Sequence, residues 1–144
     1  MDKRLKKFIN IAGWAKRQTI EIRSVIETAI NFKLAGHMDD IIHARRYMGL
    51  FDRDINRRMD SLLGTIMQLG MYSPNIGPFR IVLNEYDTAK LCIDNEITKP
   101  KYYNGSVSGK DLNQLDKDVC KLFECLRTSI DYMIEDFKKE LEEE

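Results

Sequence analysis

Between residues 2 and 34, apolar or small side chains fall at Leu5, Phe8, Ala12, Ala15, Ile22, Ile26 and Ala29, the spacing of one helix face. Thr19 and Lys33 are the polar intrusions on it. Gly36 supplies a helix stop, and Asp39 and Asp40 put negative charge where a second helix begins, at the positive end of its dipole. The stripe then resumes through Ile41, Ala44, Met48, Phe51, Ile55, Met59, Leu62, Ile66 and Leu69, predicting a helix over 39–70. The stretch Tyr72 to Pro78 carries two prolines and a glycine, and Pro78 suits the first position of a helix, where its missing N–H would have no acceptor. Phe79, Val82, Tyr86, Ala89 and Ile93 mark a shorter third helix over 78–97, which Pro100 prevents from running on. Lys99 to Lys110 reads as a loop with a tight turn at Asn104 and Gly105. Asp111 with Gln114 resembles a capping box, and Leu112, Leu115, Val119, Leu122, Leu126, Ile130, Met133, Phe137 and Leu141 form the longest stripe, over 111–141.

Three long helices and one short one, joined mostly by brief turns, predict an all-α, antiparallel up-down-up-down four-helix bundle in a single domain, 1–144. No strand-like alternation or internal repeat competes with that reading.

At 144 residues the chain can bury a core without disulfides or metal. Its 43% hydrophobic and 32% charged residues suit a folded helical chain rather than a disordered one. No apolar run approaches the roughly 20 residues of a membrane span, and charge interrupts the N-terminal segment too soon for a signal peptide. The expectation is a cytoplasmic protein with no membrane insertion. Cys92, Cys120 and Cys125 are odd in number and sit within helical patterns, so they read as reduced thiols.

Catalytic chemistry finds little support. A di-metal bundle needs two Glu-x-x-His pairs, whereas the nearest match is Asp40 with His43, and His37 is the only other histidine. Neither histidine has an arginine at the spacing of Arg-x4-6-His helical nucleases, and the eight glycines are scattered singly rather than gathered in a phosphate loop. No catalytic, metal or cofactor set emerges, and a non-enzymatic protein is expected.

Charge separates the remaining possibilities. Residues 1–72 hold 13 Lys and Arg against 8 Asp and Glu, and residues 73–144 hold 10 against 15. An antiparallel first and last helix would bring Lys3, Arg4, Lys6 and Lys7 near Glu140, Glu142, Glu143 and Glu144, so that each cluster offsets the other. If those cations instead remain free, then Lys3, Arg4, Lys6, Lys7, Lys16 and Arg17 are the candidate contacts to nucleic-acid phosphates. Arg46, Arg53 and Arg57 fall within about 40° of one another, almost opposite the apolar stripe, and form an outward ridge suited to anions or a partner's carboxylates. Asp60 is the expected partner of Arg57 and Asp54 that of Arg58. Trp14 lies well off the apolar face, with Ile11, Val25 and Phe32 widening it, while Leu50, Leu63 and Met67 are strays on the second helix. Trp14, with Tyr102 and Tyr103 in the long loop, is a candidate apolar contact. The expected function is an interaction or assembly protein that self-associates or binds a protein partner. A nucleic-acid accessory subunit is the alternative.

Overall fold

The structure, a computed structural model, describes residues 2–34, 41–97 and 109–144, with side chains for 2–31, 49–97 and 113–144. The described residues form four helices: α1 (Lys3–Leu34), α2 (Ile41–Tyr72), α3 (Ile76–Cys92), which runs on into a π turn (Ile93–Ile97), and α4 (Gly109–Glu143). Among them there is no strand, and no helix is long and apolar enough to cross a membrane. The link predicted at Gly36 to Asp40 and residues 99–108 of the predicted Lys99–Lys110 loop, with the Asn104–Gly105 turn, lie outside the described residues, while Gly109 and Lys110 already belong to α4.

Two helix starts differ from the sequence expectation. Pro78 is the third residue of α3, not the first. A first-turn N–H has no carbonyl partner in its own helix, so proline is tolerated at the third position as well. The N-cap is Asn75, in extended geometry (φ −127°, ψ 135°), and its side chain makes no capping bond. It points to α4 instead, donating from Nδ2 to Asp136 (3.0 Å) and Glu140 (2.8 Å). Helix α4 begins at Gly109, which puts Asp111 inside its first turn, and Gln114 donates forward to Asp118 (3.0 Å).

Cross-helix pairs establish the chain directions. Lys7, Gln18 and Glu21 on α1 meet Tyr72, Ser61 and Arg58 on α2, so the partner number falls as the α1 number rises. Arg4, Lys16 and Arg23 meet Glu144, Asp131 and Asp116 on α4 in the same reversed order. Gly70 and Met59 on α2 meet Phe79 and Tyr86 on α3. Helices α1 and α3 thus point one way and α2 and α4 the other, with α1 against α2 and α4, and α3 against α2 and α4.

All four helices contribute to one core. Phe8, Ile22 and Ile26 of α1, Met59, Leu62 and Ile66 of α2, Val82 and Ile93 of α3, and Leu126, Ile130 and Met133 of α4 are buried together. The α4 stripe departs from expectation at one turn, where Leu122 is half-buried and Phe123 is fully buried. The two flank the stripe by similar angles, and the phenyl ring fills the core more completely. Phe8 and Phe137 bring their rings to 5.1 Å at the end of the bundle where α1 starts.

Two polar groups inside this core are tied to a neighbouring helix. Thr19 is fully buried, donates to the Lys16 carbonyl (2.6 Å) and accepts from the Arg127 guanidinium (3.1 Å). The Tyr86 hydroxyl donates to the Met59 carbonyl (2.9 Å), and burial, with Asp60, Asp87 and Asp94 nearby, pushes its pKa up to about 12.

Candidate functional site

Along α1, residues 7, 11, 14, 18, 21 and 25 form one ridge at helical spacing, directed towards α2. Ile11 and Val25 fold into the edge of the core, and Gln18 and Glu21 reach α2 through Ser61 (3.0 Å) and Arg58 (3.6 Å). Trp14 stands among them without joining the core and leaves 46% of its surface exposed. The Arg17 guanidinium lies 5.2 Å from the indole ring centre, a cation–π contact on the outer side of the helix.

Across the groove, α2 presents Arg57, Arg58 and Ser61. These residues enclose a cavity of about 290 Å³ together with Trp14, Gln18, Glu21 and Ile22. Two features found separately in the sequence, the tryptophan outside the core stripe and Arg57 of the arginine ridge, therefore line one site. The antiparallel register of α1 and α2 brings them together.

Asp54 organises the arginines. It accepts from Arg57 (2.6 Å) and from Arg58 (3.2 Å), so the partner of Arg57 is Asp54, at i−3, and not the expected Asp60. Asp54 is half-buried beside Arg58, whereas Asp60 is exposed further round the helix. Burial pushes the Asp54 carboxyl up, but the hydrogen bonds from the two guanidinium groups outweigh it and hold the pKa below the ordinary value. One carboxylate is thus shared by two cations, and the Arg57 side chain remains 75% exposed. One turn earlier, the exposed Arg53 donates to the Gly49 carbonyl (3.2 Å). The Arg46 side chain lies outside the described residues, as do Tyr102 and Tyr103.

The remaining basic candidates divide. Arg4 pairs with Asp2 and Glu144 (2.9 Å), and Lys16 with Asp131 (2.7 Å), so both turn towards carboxylates within the chain. Lys7 stands 4.5 Å over the Tyr72 ring, and Lys3 and Lys6 are exposed. Arg23 joins the α1–α4 seam, bridging Asp116 (3.0 Å) and Glu27. Of the charge match expected between the chain ends, Arg4 meets Glu144, while Lys16–Asp131 and Arg23–Asp116 join α1 to α4 at levels the sequence did not single out, and Arg17 stays on the α1–α2 side.

Sequence reasoning missed Gln18. It is 6% exposed, donates to Ser61 and leaves Oε1 without a partner, so the floor of the groove is polar as well as apolar. The available signal was a glutamine between two apolar flank positions, Ile11 and Val25, at helical spacing.

The site offers an aromatic face, cationic donors and an apolar floor at Ile22, with neither a cysteine nor a histidine among its lining residues. Such a set is equipped to recognise a surface bearing carboxylates and apolar groups. All three cysteines are free, and burial, with Glu96 and Asp118 nearby, raises the pKa of the Cys92 thiol and disfavours its nucleophilic form. The chain matches no protein-family model, no curated protein and no solved structure.

Proposed function

We propose that the chain is a non-enzymatic interaction or assembly protein of the cytoplasm, and that it meets a protein through the α1–α2 groove. The observation that carries this reading is the half-exposed Trp14, set between Arg17 and the Arg57–Arg58 pair over a cavity of about 290 Å³. Tryptophan and arginine around a pocket are the residue types that dominate binding energy at protein interfaces. A monomer gains little from an indole left outside its core, whereas a partner covering it removes apolar surface from water.

A nucleic-acid reading draws on Lys3, Lys6, Lys7 and Arg17. It is weakened by the commitment of Arg4 and Lys16 to acidic side chains of the same chain and by a formal net charge of zero. Placing an aromatic photoreactive amino acid at position 14, which keeps a ring where the indole stands, and irradiating the source cells separates the two. The expected product is a covalent adduct with protein, this chain or another, reduced several-fold by Arg57→Glu. An adduct with nucleic acid, or none with protein, contradicts the proposal.

A further inference from the structure

The face opposite the groove has the complementary character. Because α1 and α3 each lie against α2 and α4, the α1–α2 and α3–α4 faces are on opposite sides of the bundle. With the α1–α4 seam residues Arg4, Lys16, Arg23, Asp116 and Asp131 set aside, the described side chains of α1 and α2 include 7 Lys and Arg against 5 Asp and Glu, whereas those of α3, its π turn and α4 include 7 against 11. Formal charge is thus separated across the bundle while the whole chain sums to zero.

Each face also has exposed apolar groups. Tyr132 is 54% exposed and lies one turn before Asp136, on the side of α4 that holds Asn75. Ile81 is 46% exposed and shares a ridge of α3 with Glu85 and Cys92, the latter within the field of Asp118 on α4. An aromatic and an aliphatic side chain among carboxylates on one side thus oppose an indole among guanidinium groups on the other.

We propose that the α1–α2 groove receives the α3–α4 face of a second copy of this chain, so that copies join head to tail. This rests on the α1–α2 groove being the protein-binding face. A second copy fits because the two faces are opposite in sign and because zero net charge leaves no long-range repulsion between copies. The 32-residue helices are about 48 Å long, and a face two helices wide offers roughly 900 Å², close to the ~800 Å² per partner of a stable interface. Since the faces differ, each added copy leaves one of each kind open, and the assembly grows or closes as a ring.

Two variants with one face blocked test this by light scattering: Trp14→Ala with Arg57→Glu, and Ile81→Lys with Tyr132→Lys. The wild-type mass is expected to rise above 16.9 kDa with concentration and to fall back with added salt. Each variant alone is expected to remain a monomer, while an equimolar mixture, having one good face of each kind, forms a dimer that grows no further. If only the groove variant dissociates, the groove pairs with itself, which overturns this inference and leaves the groove reading standing. If neither dissociates, the copies join elsewhere and the head-to-tail contact falls, with the groove reading then decided by the adduct at position 14. A wild-type chain that is monomeric at every concentration overturns the head-to-tail contact, and the adduct formed at position 14 then decides the groove reading separately. Circular dichroism verifies each fold, and Arg57→Gln for the groove or Tyr132→Gln for the opposite face, each expected to weaken association several-fold, replaces the corresponding double variant if it does not fold.

Discussion

Replacing Gly70 with alanine tests how closely α2 and α3 pack. A Cβ at Gly70 would lie 2.4, 2.5 and 2.7 Å from three atoms of the Phe79 ring. Carbon atoms pack best at about 3.5–4.0 Å, so the ring or the helix must retreat by roughly 1 Å. The atoms met are the outer edge of the half-buried Phe79 ring, which moves only as a rigid unit, and overpacking of this kind costs about 1–3 kcal/mol. Alanine returns up to about 1 kcal/mol of helix propensity, and less here, because α2 ends two residues later at Tyr72. The net expectation is a loss of about 1–2 kcal/mol, read from urea unfolding followed by circular dichroism. Gly64 is the control. Nothing lies within 4 Å of its added Cβ, so Gly64→Ala is expected to stabilise by about 1 kcal/mol. Shrinking the ring in Gly70→Ala/Phe79→Leu should recover stability beyond the sum of the single changes. Equal stabilisation by Gly70→Ala and Gly64→Ala would refute the close approach.

Asp54→Asn is expected to destabilise at neutral pH. The folded pKa of Asp54 lies below 3.8, so its contribution is present above that value and disappears as pH falls through the folded pKa. The gap between wild type and variant should therefore close in acid unfolding titrations. Tyr86→Phe removes the bond to Met59 and should cost about 1 kcal/mol in chemical unfolding at neutral pH. Because the folded phenol titrates near 12 rather than 10.0, wild-type stability should also fall between those values, by a component missing in Tyr86→Phe. Thr19→Val keeps the shape but removes the acceptor for Arg127, at an expected cost of about 1–3 kcal/mol in the same assay.

The apolar periodicity carried most of the architecture. Leu5, Phe8, Ala12, Ile22 and Ile26 of the first stripe are buried, as are Ile55, Met59, Leu62, Ile66 and Leu69 of the second, because helical spacing alone assigns a face. Periodicity placed Leu122 on the stripe and not Phe123, although the two flank it alike and Phe123 is the one that is fully buried. It also says nothing of register between helices. Trp14 and Arg57 were each visible as residues off the core face, but their meeting depends on α1 and α2 being aligned so that Gln18 reaches Ser61 and Glu21 reaches Arg58. The sharing of Asp54 by two arginines was hidden for another reason. Arg57 has carboxylates at both i−3 and i+3, and rotamer and burial decide between them.

Trp14 is the only tryptophan, so its fluorescence reports on the groove alone. The most direct test of the account is the accessibility of this indole to acrylamide. It is measured as the chain is concentrated and in the presence of any protein captured at position 14. Binding through the groove predicts that quenching falls and emission shifts to the blue as the complex forms, with both changes lost in Arg57→Glu. A Trp14 that stays equally quenchable while light scattering records a complex would place the contact elsewhere and contradict the account.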